Sequence, residues 1–226
     1  MPGSDQLFDE WPERYDRWFA TPIGSLVREY ESRLILDLLG SPPGKTILDA
    51  GCGTGVFTND LLSAGFEVVG LDISLSMVLR AREKVREDRF QPVLGDMSAL
   101  PFLDASFDRT VSITALEFIR DARGAVAELF RVTKEGGVVV LATLNSLSPW
   151  AVRRTEQARN GHPLFNRTVF RSPSELLSLG PGGGIARTAI HFLKEESPER
   201  AIETELAGRM KGSETGAFVA VRWIKL

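Results

Sequence analysis

The sequence contains a single cysteine, Cys52, among its 226 residues. One cysteine cannot form a disulfide within the chain, so the disulfide frameworks of small secreted domains are excluded and a reducing compartment is indicated. Long apolar runs are also absent, since none approaches the roughly 18 residues of a membrane-spanning helix. The first ten residues, MPGSDQLFDE, carry acidic side chains where a signal peptide has a basic region and then an apolar one. We therefore expect a cytoplasmic protein with no membrane insertion.

Excess positive charge is lacking as well, because 27 lysines and arginines stand against 30 aspartates and glutamates, for a formal net charge of −3. An acidic average is not typical of proteins whose main partner is nucleic acid or an anionic membrane. Apolar residues make up 43% of the chain, which is enough for one substantial core at this length. We expect a single domain over residues 1–226 and no nucleic-acid partner. The oligomeric state is left open.

From residue 45 onward, short apolar runs bounded by glycine alternate with helix-like stretches. Buried parallel strands have this pattern, and the alternation with helices predicts right-handed crossovers and a doubly wound sheet. Two late runs with alternating apolar residues predict an antiparallel pair at one edge. The predicted strands cover 46–50, 66–72, 90–96, 107–113, 137–145, 185–193 and 216–225. We thus expect an α/β, Rossmann-like fold with a doubly wound, seven-stranded, mostly parallel sheet and an antiparallel edge strand.

Helix signals surround these runs. Apolar residues three and four apart predict an amphipathic helix over 21–40, preceded by an aromatic-rich segment that completes a helical N-terminal cap or lid. Ser74 is an N-cap candidate, and Gly136 is predicted to end the helix before the fifth strand. Ser172 opens a Ser-Pro-Ser-Glu capping box, which predicts a short helix from there to Gly180.

The stretch ILDAGCGTGVF places Asp49 at the end of an apolar run, with glycines following at positions 51, 53 and 55. At the carboxyl end of a parallel strand, glycines let backbone N–H groups approach a ligand. A dinucleotide-binding loop has the pattern G-x-G-x-x-G, whereas Val56 stands here where that pattern has its last glycine. A carboxylate at Asp49 would also repel a pyrophosphate, but it suits the ammonium group of an amino acid.

Acidic residues also follow the next two predicted strands. Asp72 can accept hydrogen bonds from two ribose hydroxyls, and Asp96 can accept one from an adenine amino group. The backbone N–H of Met97 can meet a ring nitrogen of the same base. Three neighbouring strand ends thus offer partners for an amino acid, a ribose and an adenine, which are the parts of S-adenosylmethionine.

Five segments, LDAGCGTG, VVGLDIS, GDMSALPF, FDRTVSITALEFIRD and GGVVVLATLN, resemble successive motifs of the class I S-adenosylmethionine-dependent methyltransferases, in the type 11 family. The resemblance implies an enzyme that uses S-adenosylmethionine and needs no metal. The cofactor-binding residues that it implies are Tyr15, Asp49, Gly51, Cys52, Gly53, Gly55, Asp72, Ile73, Asp96, Met97 and Thr114. The regions that it implies are a helical cap or lid over 1–40, a cofactor-binding core over 45–145, a substrate-side insert over 146–183 and C-terminal strands with a helix over 184–226.

Methyl transfer is an in-line displacement at a carbon that a positive sulfonium already activates, so the enzyme mainly aligns the acceptor and excludes water. A hydroxyl or carbon-acid acceptor would gain from a general base. Candidate catalytic residues are Glu117, His162 and Tyr15. Each has a structural alternative, because Glu117 can cap a helix, His162 can belong to a turn and Tyr15 can pack as an amphipathic aromatic.

Residues 146–171 carry five arginines and one glutamate, with aromatic residues between them. Arginine forks bind carboxylates and phosphates, so this segment favours an anionic, partly apolar small-molecule acceptor. The alternative is a solvated helix face whose aromatic residues hold the segment in place. The arginines are Arg153, Arg154, Arg159, Arg167 and Arg171, and the aromatics are Trp150, Phe165 and Phe170.

Two further functions stay open at this point. One is a non-catalytic module that binds S-adenosylmethionine or its demethylated product, S-adenosylhomocysteine. The other is a nicotinamide-dependent oxidoreductase on a related sheet, against which Val56 and Asp49 both weigh.

Overall fold

The computed structural model describes residues 12–41 and 45–226, without the side chains of Pro12, Arg14 and Tyr15. Their α-helices are α1 (Pro12–Phe19), α2 (Pro22–Leu39), α3 (Thr58–Ser63), α4 (Leu75–Lys84), α5 (Ala122–Val132), α6 (Pro149–Arg159), α7 (Pro173–Leu177) and α8 (Pro198–Lys211). Their strands are β1 (Thr46–Ala50), β2 (Glu67–Asp72), β3 (Phe90–Leu94), β4 (Phe107–Ile113), β5 (Thr133–Leu144), β6 (Ile185–Ala189) and β7 (Phe218–Ile224). Short 3-10 helices cover Leu116–Phe118 and Phe165–Arg167.

The strands form one sheet in the order β3-β2-β1-β4-β5-β7-β6. Strands β1 to β5 pair in parallel, whereas β7 runs antiparallel to both β5 and β6. The outermost strand on that side, β6, therefore runs antiparallel to its neighbour. The predicted fold class, a mostly parallel seven-stranded sheet with an antiparallel strand at one edge, is confirmed.

Helices cover both faces of the sheet, so the core has two layers. Alternate residues of β5 enter opposite layers: Val138 and Val140 pack in the layer that contains α2, and Val139 and Leu141 in the layer that contains α5. A strand that is buried on both faces needs apolar residues at every position rather than at every second one. This explains the unbroken apolar run of β5.

Helix α2 forms where the apolar spacing predicts it. The side chain of Thr21 accepts a hydrogen bond from the backbone N–H of Gly24 at 3.0 Å, and Pro22 occupies the first helical turn, where its missing N–H has no partner to lose. Gly40 ends the helix with φ +65, in the region that glycine tolerates. The predicted helix over 21–40 is confirmed.

The end of helix α5 differs from the prediction. Gly136 does not terminate it, because the helix ends at Val132 and the chain enters β5 directly at Thr133. Gly136 instead lies inside β5 with φ +73, next to a shift in the register between β4 and β5. The positive φ of this glycine serves a bulge in a strand and not the cap of a helix.

The short helix after Ser172 begins as predicted but ends early. The capping box is present: Ser172 donates its N–H to Glu175 Oε2 at 2.7 Å, and its side chain accepts from the N–H of Glu175. Helix α7 ends at Leu177, whereas the prediction extends it to Gly180. At position 180 a Cβ would lie 2.6 Å from the Trp223 ring, so this glycine permits close packing against β7.

Strand β6 is also shorter than the predicted 185–193, because Ile190 adopts φ +66 and turns the chain out of the sheet.

Helix α6 has no counterpart in the predictions. It starts with the same signal as α7, since Ser148 accepts from the N–H of Ala151 at 3.1 Å and Pro149 follows. None of the helices in the described ranges is both long and apolar enough to cross a membrane.

A buried carboxylate ties α8 to the segment after β6. Glu205 Oε2 accepts a hydrogen bond from the backbone N–H of His191 at 2.8 Å and lies 3.0 Å from its Nδ1, and both side chains are buried. This contact gives His191 a structural role. Replacing Glu205 leaves a buried N–H without a partner.

We expect Glu205→Ala to lower the free energy of unfolding by about 2–4 kcal/mol, because a buried hydrogen-bonded group loses its partner. Urea denaturation at neutral pH measures the change. The matched control is Glu203→Ala, at an exposed position of the same helix, which should stay within about 0.5 kcal/mol of wild type. Equal stabilities for the two variants would contradict the expectation.

Candidate active site

The carboxyl ends of β1, β2, β3 and β4 open onto one cavity of about 1510 Å³. It lies where the strand order reverses between β1 and β4, the point at which open α/β sheets bind ligands. Sites for one small ligand are commonly about 300–1,000 Å³. This cavity therefore has room for two small molecules side by side.

The glycine loop after β1 has a backbone that only glycine accommodates well. Gly51, Gly53 and Gly55 have φ values of +83, +54 and +75. A Cβ at position 51 would lie 2.3 Å from the Cβ of Ala115. Gly51 and Gly53 line the cavity, whereas Gly55 faces α4, where a Cβ would meet Val85 at 3.0 Å. Gly55 thus packs the loop onto a helix instead of facing a ligand.

Asp72, at the end of β2, is oriented by two backbone amides. Its Oδ2 accepts from the N–H of Gly53 at 2.8 Å, and its Oδ1 accepts from the N–H of Ser74 at 2.9 Å. Burial raises the pKa of Asp72, and the hydrogen bonds from these amides oppose that rise. The carboxylate lines the cavity and keeps its remaining lone pairs for a ligand.

Asp49, at the end of β1, also lines the cavity and is buried. Its Oδ2 accepts from the hydroxyl of Thr58 at 3.1 Å. Burial raises the pKa of Asp49 to about 7, and the neighbouring charge of Asp72 adds to the rise. A cation beside Asp49 would favour its ionised form.

The other residues that the resemblance implies also gather here. Ile73, Asp96, Met97, Thr114 and Cys52 all line the cavity. Thr114 has φ +48, a conformation that is strained for a β-branched residue and that places the chain after β4 against the cavity. Burial raises the pKa of the Cys52 thiol well above its usual value, which keeps the thiol neutral. Tyr15 belongs to α1, but its side chain lies outside the described residues.

Helix α1 is fastened to the glycine loop through Asp16, a contact that the sequence analysis missed. Its Oδ1 accepts from Thr54 Oγ1 at 2.7 Å and from Lys84 Nζ at 2.6 Å, and its Oδ2 accepts from Arg80 Nε at 3.4 Å. Burial raises the pKa of Asp16, but these hydrogen bonds outweigh it and hold the pKa below its usual value. The contact keeps Trp18, on the same helix, at the wall of the cavity.

Glu117 follows β4 in the 3-10 helix and faces the same cavity. Its Oε2 accepts from Thr143 Oγ1 at 3.0 Å, while its Oε1 is buried with no hydrogen-bond partner among the described residues. Burial raises the pKa of Glu117 to about 7. The alternative that Glu117 caps the next helix is not supported, because the N-cap of α5 is Asp121, whose side chain accepts from the N–H of Gly124 at 3.0 Å.

One further ionisable residue reaches the cavity without having been predicted as a site. Glu31 of α2 is buried, and its pKa is raised to about 8 by burial. Arg154, of the arginine-rich segment, also lines the cavity from α6, and burial lowers its pKa to about 10. A sequence signal for Glu31 exists, since it stands four residues after Val27 and three before Leu34, on the apolar face of α2.

The arginine-rich segment divides between the cavity and the surface. Arg153, Arg154 and Arg167 line the cavity, whereas Arg159 is exposed away from it. Arg171 donates to the backbone oxygens of Leu116 and Val169 instead. Of the aromatic residues, Trp150 and Phe165 line the cavity and Phe170 does not.

His162 also lines the cavity, where its ring stacks on Phe165 with centroids 4.4 Å apart.

Within residues 12–41 and 45–226, no group of three histidine, cysteine, aspartate or glutamate side chains is arranged to hold a metal ion. The titratable groups that line the cavity are carboxyls, guanidinium groups, the imidazole of His162, the thiol of Cys52 and the ammonium group of Lys194.

Asp49→Asn tests the effect of burying this carboxyl. Its pKa is raised from 3.8 to about 7 in the folded protein, so the stability that depends on its proton is lost as the pH rises through this range. Asparagine does not titrate. We therefore expect the free energy of unfolding of the variant, relative to that of wild type, to rise by about 2–4 kcal/mol between about pH 4 and pH 8. Urea denaturation without ligand, at both pH values, measures the gain.

The control for this comparison is Asp96→Asn, which changes an exposed carboxyl of the same cavity and should alter stability little at either pH. A difference between Asp49→Asn and wild type that is the same at both pH values would contradict the expectation.

Known proteins resemble this chain in sequence and in fold. A family model for the methyltransferase domain matches residues 48–141. Demethylmenaquinone methyltransferase of Renibacterium salmoninarum is 33% identical over 175 residues, which cover 76% of this chain and 73% of the relative. Malonyl-[acyl-carrier protein] O-methyltransferase of Erwinia billingiae is 44% identical over 103 residues, covering 46% of this chain and only 40% of that relative.

Solved structures support the fold. A S-adenosylmethionine-dependent methyltransferase of Thermotoga maritima has a TM-score of 0.76 at 23% identity, covering 97% of this chain and 99% of its own. Phosphoethanolamine N-methyltransferase 2 of Haemonchus contortus, in complex with S-adenosylmethionine, has a TM-score of 0.63 at 18% identity, covering 96% of this chain and 60% of its own.

The sequence predictions of a methyltransferase, of its fold and of its cofactor are confirmed by these likenesses together with the position of the cavity. The matched residues run from β1 into β5 and so include the ends of β1 to β4, which open onto the cavity. The chain belongs to the S-adenosylmethionine-dependent methyltransferases.

Proposed function

We propose that the protein transfers the methyl group of S-adenosylmethionine to a small acceptor that binds beside the cofactor in the cavity described above. One observation carries the proposal: a single cavity, large enough for two ligands, is lined both by carboxylates at the strand ends and by arginines with aromatic rings. The cofactor supplies a methyl group that its sulfonium activates. The chain holds the two reactants in line and excludes water.

The cofactor half is formed by the residues after β1, β2 and β3. In this proposal Asp49 pairs with the ammonium group of the methionine part, and Asp72 accepts hydrogen bonds from the ribose hydroxyls. Asp96 and the backbone of Met97 meet the adenine edge. The support is that all four residues line the same cavity and that two amides fix the carboxylate of Asp72.

The acceptor half lies between α6, the segment that follows it and the end of β4. Arg153, Arg154 and Arg167 line it together with Trp150 and Phe165, which supports an acceptor with an acidic oxygen group and an apolar body. Two relatives are named for demethylmenaquinone and for malonyl-[acyl-carrier protein] as acceptors. We extend to this chain only the class, a small acceptor.

Glu117 is the strongest candidate for a general base, because it is buried at the cavity with one free carboxylate oxygen. His162 also lines the cavity and remains a candidate, while the side chain of Tyr15 lies outside the described residues. The non-catalytic module and the oxidoreductase receive no support, since the named relatives are methyltransferases.

Calorimetric titration of the purified protein with S-adenosylmethionine, S-adenosylhomocysteine and NADH tests the proposed cofactor half. We expect micromolar binding of the first two ligands and none of NADH, because Asp49 favours an ammonium group over a pyrophosphate. Binding of NADH alone would overturn the proposal.

We further expect Asp72→Ala to weaken the binding of S-adenosylhomocysteine by more than about tenfold, since hydrogen bonds to a charged group contribute about 1.5–3 kcal/mol. Calorimetry with folding checked by circular dichroism measures the effect. The matched control, Glu67→Ala, changes an exposed carboxylate at the opposite end of β2 and should bind as wild type does. Unchanged affinity in a folded Asp72→Ala protein would refute the ribose assignment.

A further inference from the structure

Three ionisable side chains from separate elements meet in the acceptor half: Glu31 of α2, Glu117 after β4 and Arg154 of α6. We call them the acceptor trio. The two glutamates are buried, and the charge of Arg154 acts on both of them. No part of cofactor binding, as proposed above, uses any of the three.

The trio contains a buried acceptor atom and a buried donor atom that lack partners. Glu117 Oε1 and Arg154 Nη1 have no hydrogen-bond partner among the described residues. Leaving such groups unpaired is unfavourable. A ligand group that donates one hydrogen bond and accepts another would satisfy both atoms, and a hydroxyl can do both.

The unpartnered atoms of the trio select among ligand classes. Glu117 Oε1 is an acceptor and Arg154 Nη1 is a donor, so the ligand group must supply both a hydrogen and a lone pair. A carboxylate has no proton to donate to Glu117, and an ammonium group has no lone pair with which to accept from Arg154. Burial raises the pKa of Glu117 to about 7, and burial with the charge of Glu117 raises the pKa of Glu31 to about 8.

Other charged groups face Glu117 as well. Arg171, ahead of α7, and Arg154 both act to lower its pKa, and Thr143 from β5 donates to its Oε2. Glu117 is thus held close to the pH at which a general base is most effective, with positive charge nearby to stabilise an oxyanion.

Aromatic rings fix the guanidinium of Arg154 and shape the space beside it. Its Cζ lies 5.2 Å from the centroid of Trp150 and 6.0 Å from that of Phe165. Trp18 and Phe57 line the cavity as well. Such walls favour a flat apolar molecule over a flexible polar one.

Resting on the proposed function, we propose that the acceptor is a phenol: a neutral hydroxyl on a planar apolar frame, which donates to Glu117 and accepts from Arg154. Glu117 is the catalytic base, Arg154 stabilises the phenolate, and Glu31 is a positioning residue that interacts electrostatically with Arg154.

The step is balanced in atoms and charge. The hydroxyl proton passes to Glu117 Oε1, and a lone pair of the phenolate oxygen forms a bond to the methyl carbon. The carbon–sulfur bond breaks with its electron pair on sulfur, so the sulfonium becomes the neutral thioether of S-adenosylhomocysteine. The product is a methyl ether, and Glu117 returns its proton to water.

Three probes that differ only in one group test the proposal: naphthol, naphthoate and naphthylmethylamine, each substituted at the same ring position. Each is titrated into the intact protein saturated with S-adenosylhomocysteine. We expect naphthol to bind at least tenfold more tightly than the other two. We also expect the absorption band of its anion to appear at a lower pH than in free solution, because Arg154 stabilises the phenolate.

Variants of the trio test whether these residues cause the tight binding of naphthol and its ionisation at lower pH. Glu117→Gln should weaken naphthol binding at least tenfold, and Arg154→Met should return the ionisation of bound naphthol to its pH in free solution. If Arg154→Met fails to fold, Arg154→Lys should move the ionisation of bound naphthol part of the way back to its pH in free solution. The matched controls Glu29→Gln on α2 and Arg159→Met on α6 are exposed and should behave as wild type.

Preference for naphthoate or for naphthylmethylamine would overturn the proposal, as would binding of none of the three probes. Control variants that change naphthol binding as much as the trio variants do would also overturn it. Binding of S-adenosylhomocysteine is measured first in each protein. If wild type does not bind it, the proposed function fails. If wild type binds it but shows no preference for naphthol, the phenol proposal alone fails.

Discussion

In the sheet, β1 pairs in parallel with β2 on one side and with β4 on the other, so consecutive crossovers leave β1 in opposite directions. Neither crossover covers the space at the carboxyl end of β1, and a crevice opens there. The glycine loop begins at this point, and a Cβ at position 51 would collide with Ala115 after β4. The site therefore depends on how closely the loops after β1 and β4 can approach each other.

The crevice holds an unusual number of buried carboxyls. Asp49, Glu31 and Glu117 all have pKa values that burial raises to about 7 or 8. Such groups destabilise the folded protein once the pH is high enough to ionise them, which is the cost of preparing a site for cationic and hydrogen-bonding ligands. Binding of ligands that satisfy them should stabilise the protein in return.

Docking of separate elements completes the cavity. Asp16 fastens α1 to the glycine loop and α4 through Thr54 and Lys84, and so brings Trp18 to the cavity wall. Helix α6 brings Trp150 and Arg154 to the same cavity. Residues from the strand ends and residues from helices thus line one space, as the proposed in-line transfer between two ligands requires.

Patterns among neighbouring residues were enough to predict most strands of the sheet and the residues at their ends. Asp49 and Asp72 could be predicted because a short apolar run ending in aspartate, followed by glycine or a Ser N-cap, specifies its own position at the end of a parallel strand. The start of α7 could be predicted because the capping box of Ser172 and Glu175 is closed within four residues. The lengths of α5, α7 and β6 could not be predicted from such signals. Gly136 and Gly180 take their positions from pairing and packing with distant strands.

The sequence by itself determined the fold class and the family and predicted the strand-end residues that line the cavity, because each depends on residues that are neighbours along the chain. Only the tertiary structure decided that Glu31, Glu117 and Arg154 share one cavity, and that Arg159 and Arg171 do not face it. The physical reason is that burial and electrostatic interaction depend on distance in space. Residues 31, 117 and 154 are far apart in sequence, and no local pattern specifies how their elements pack.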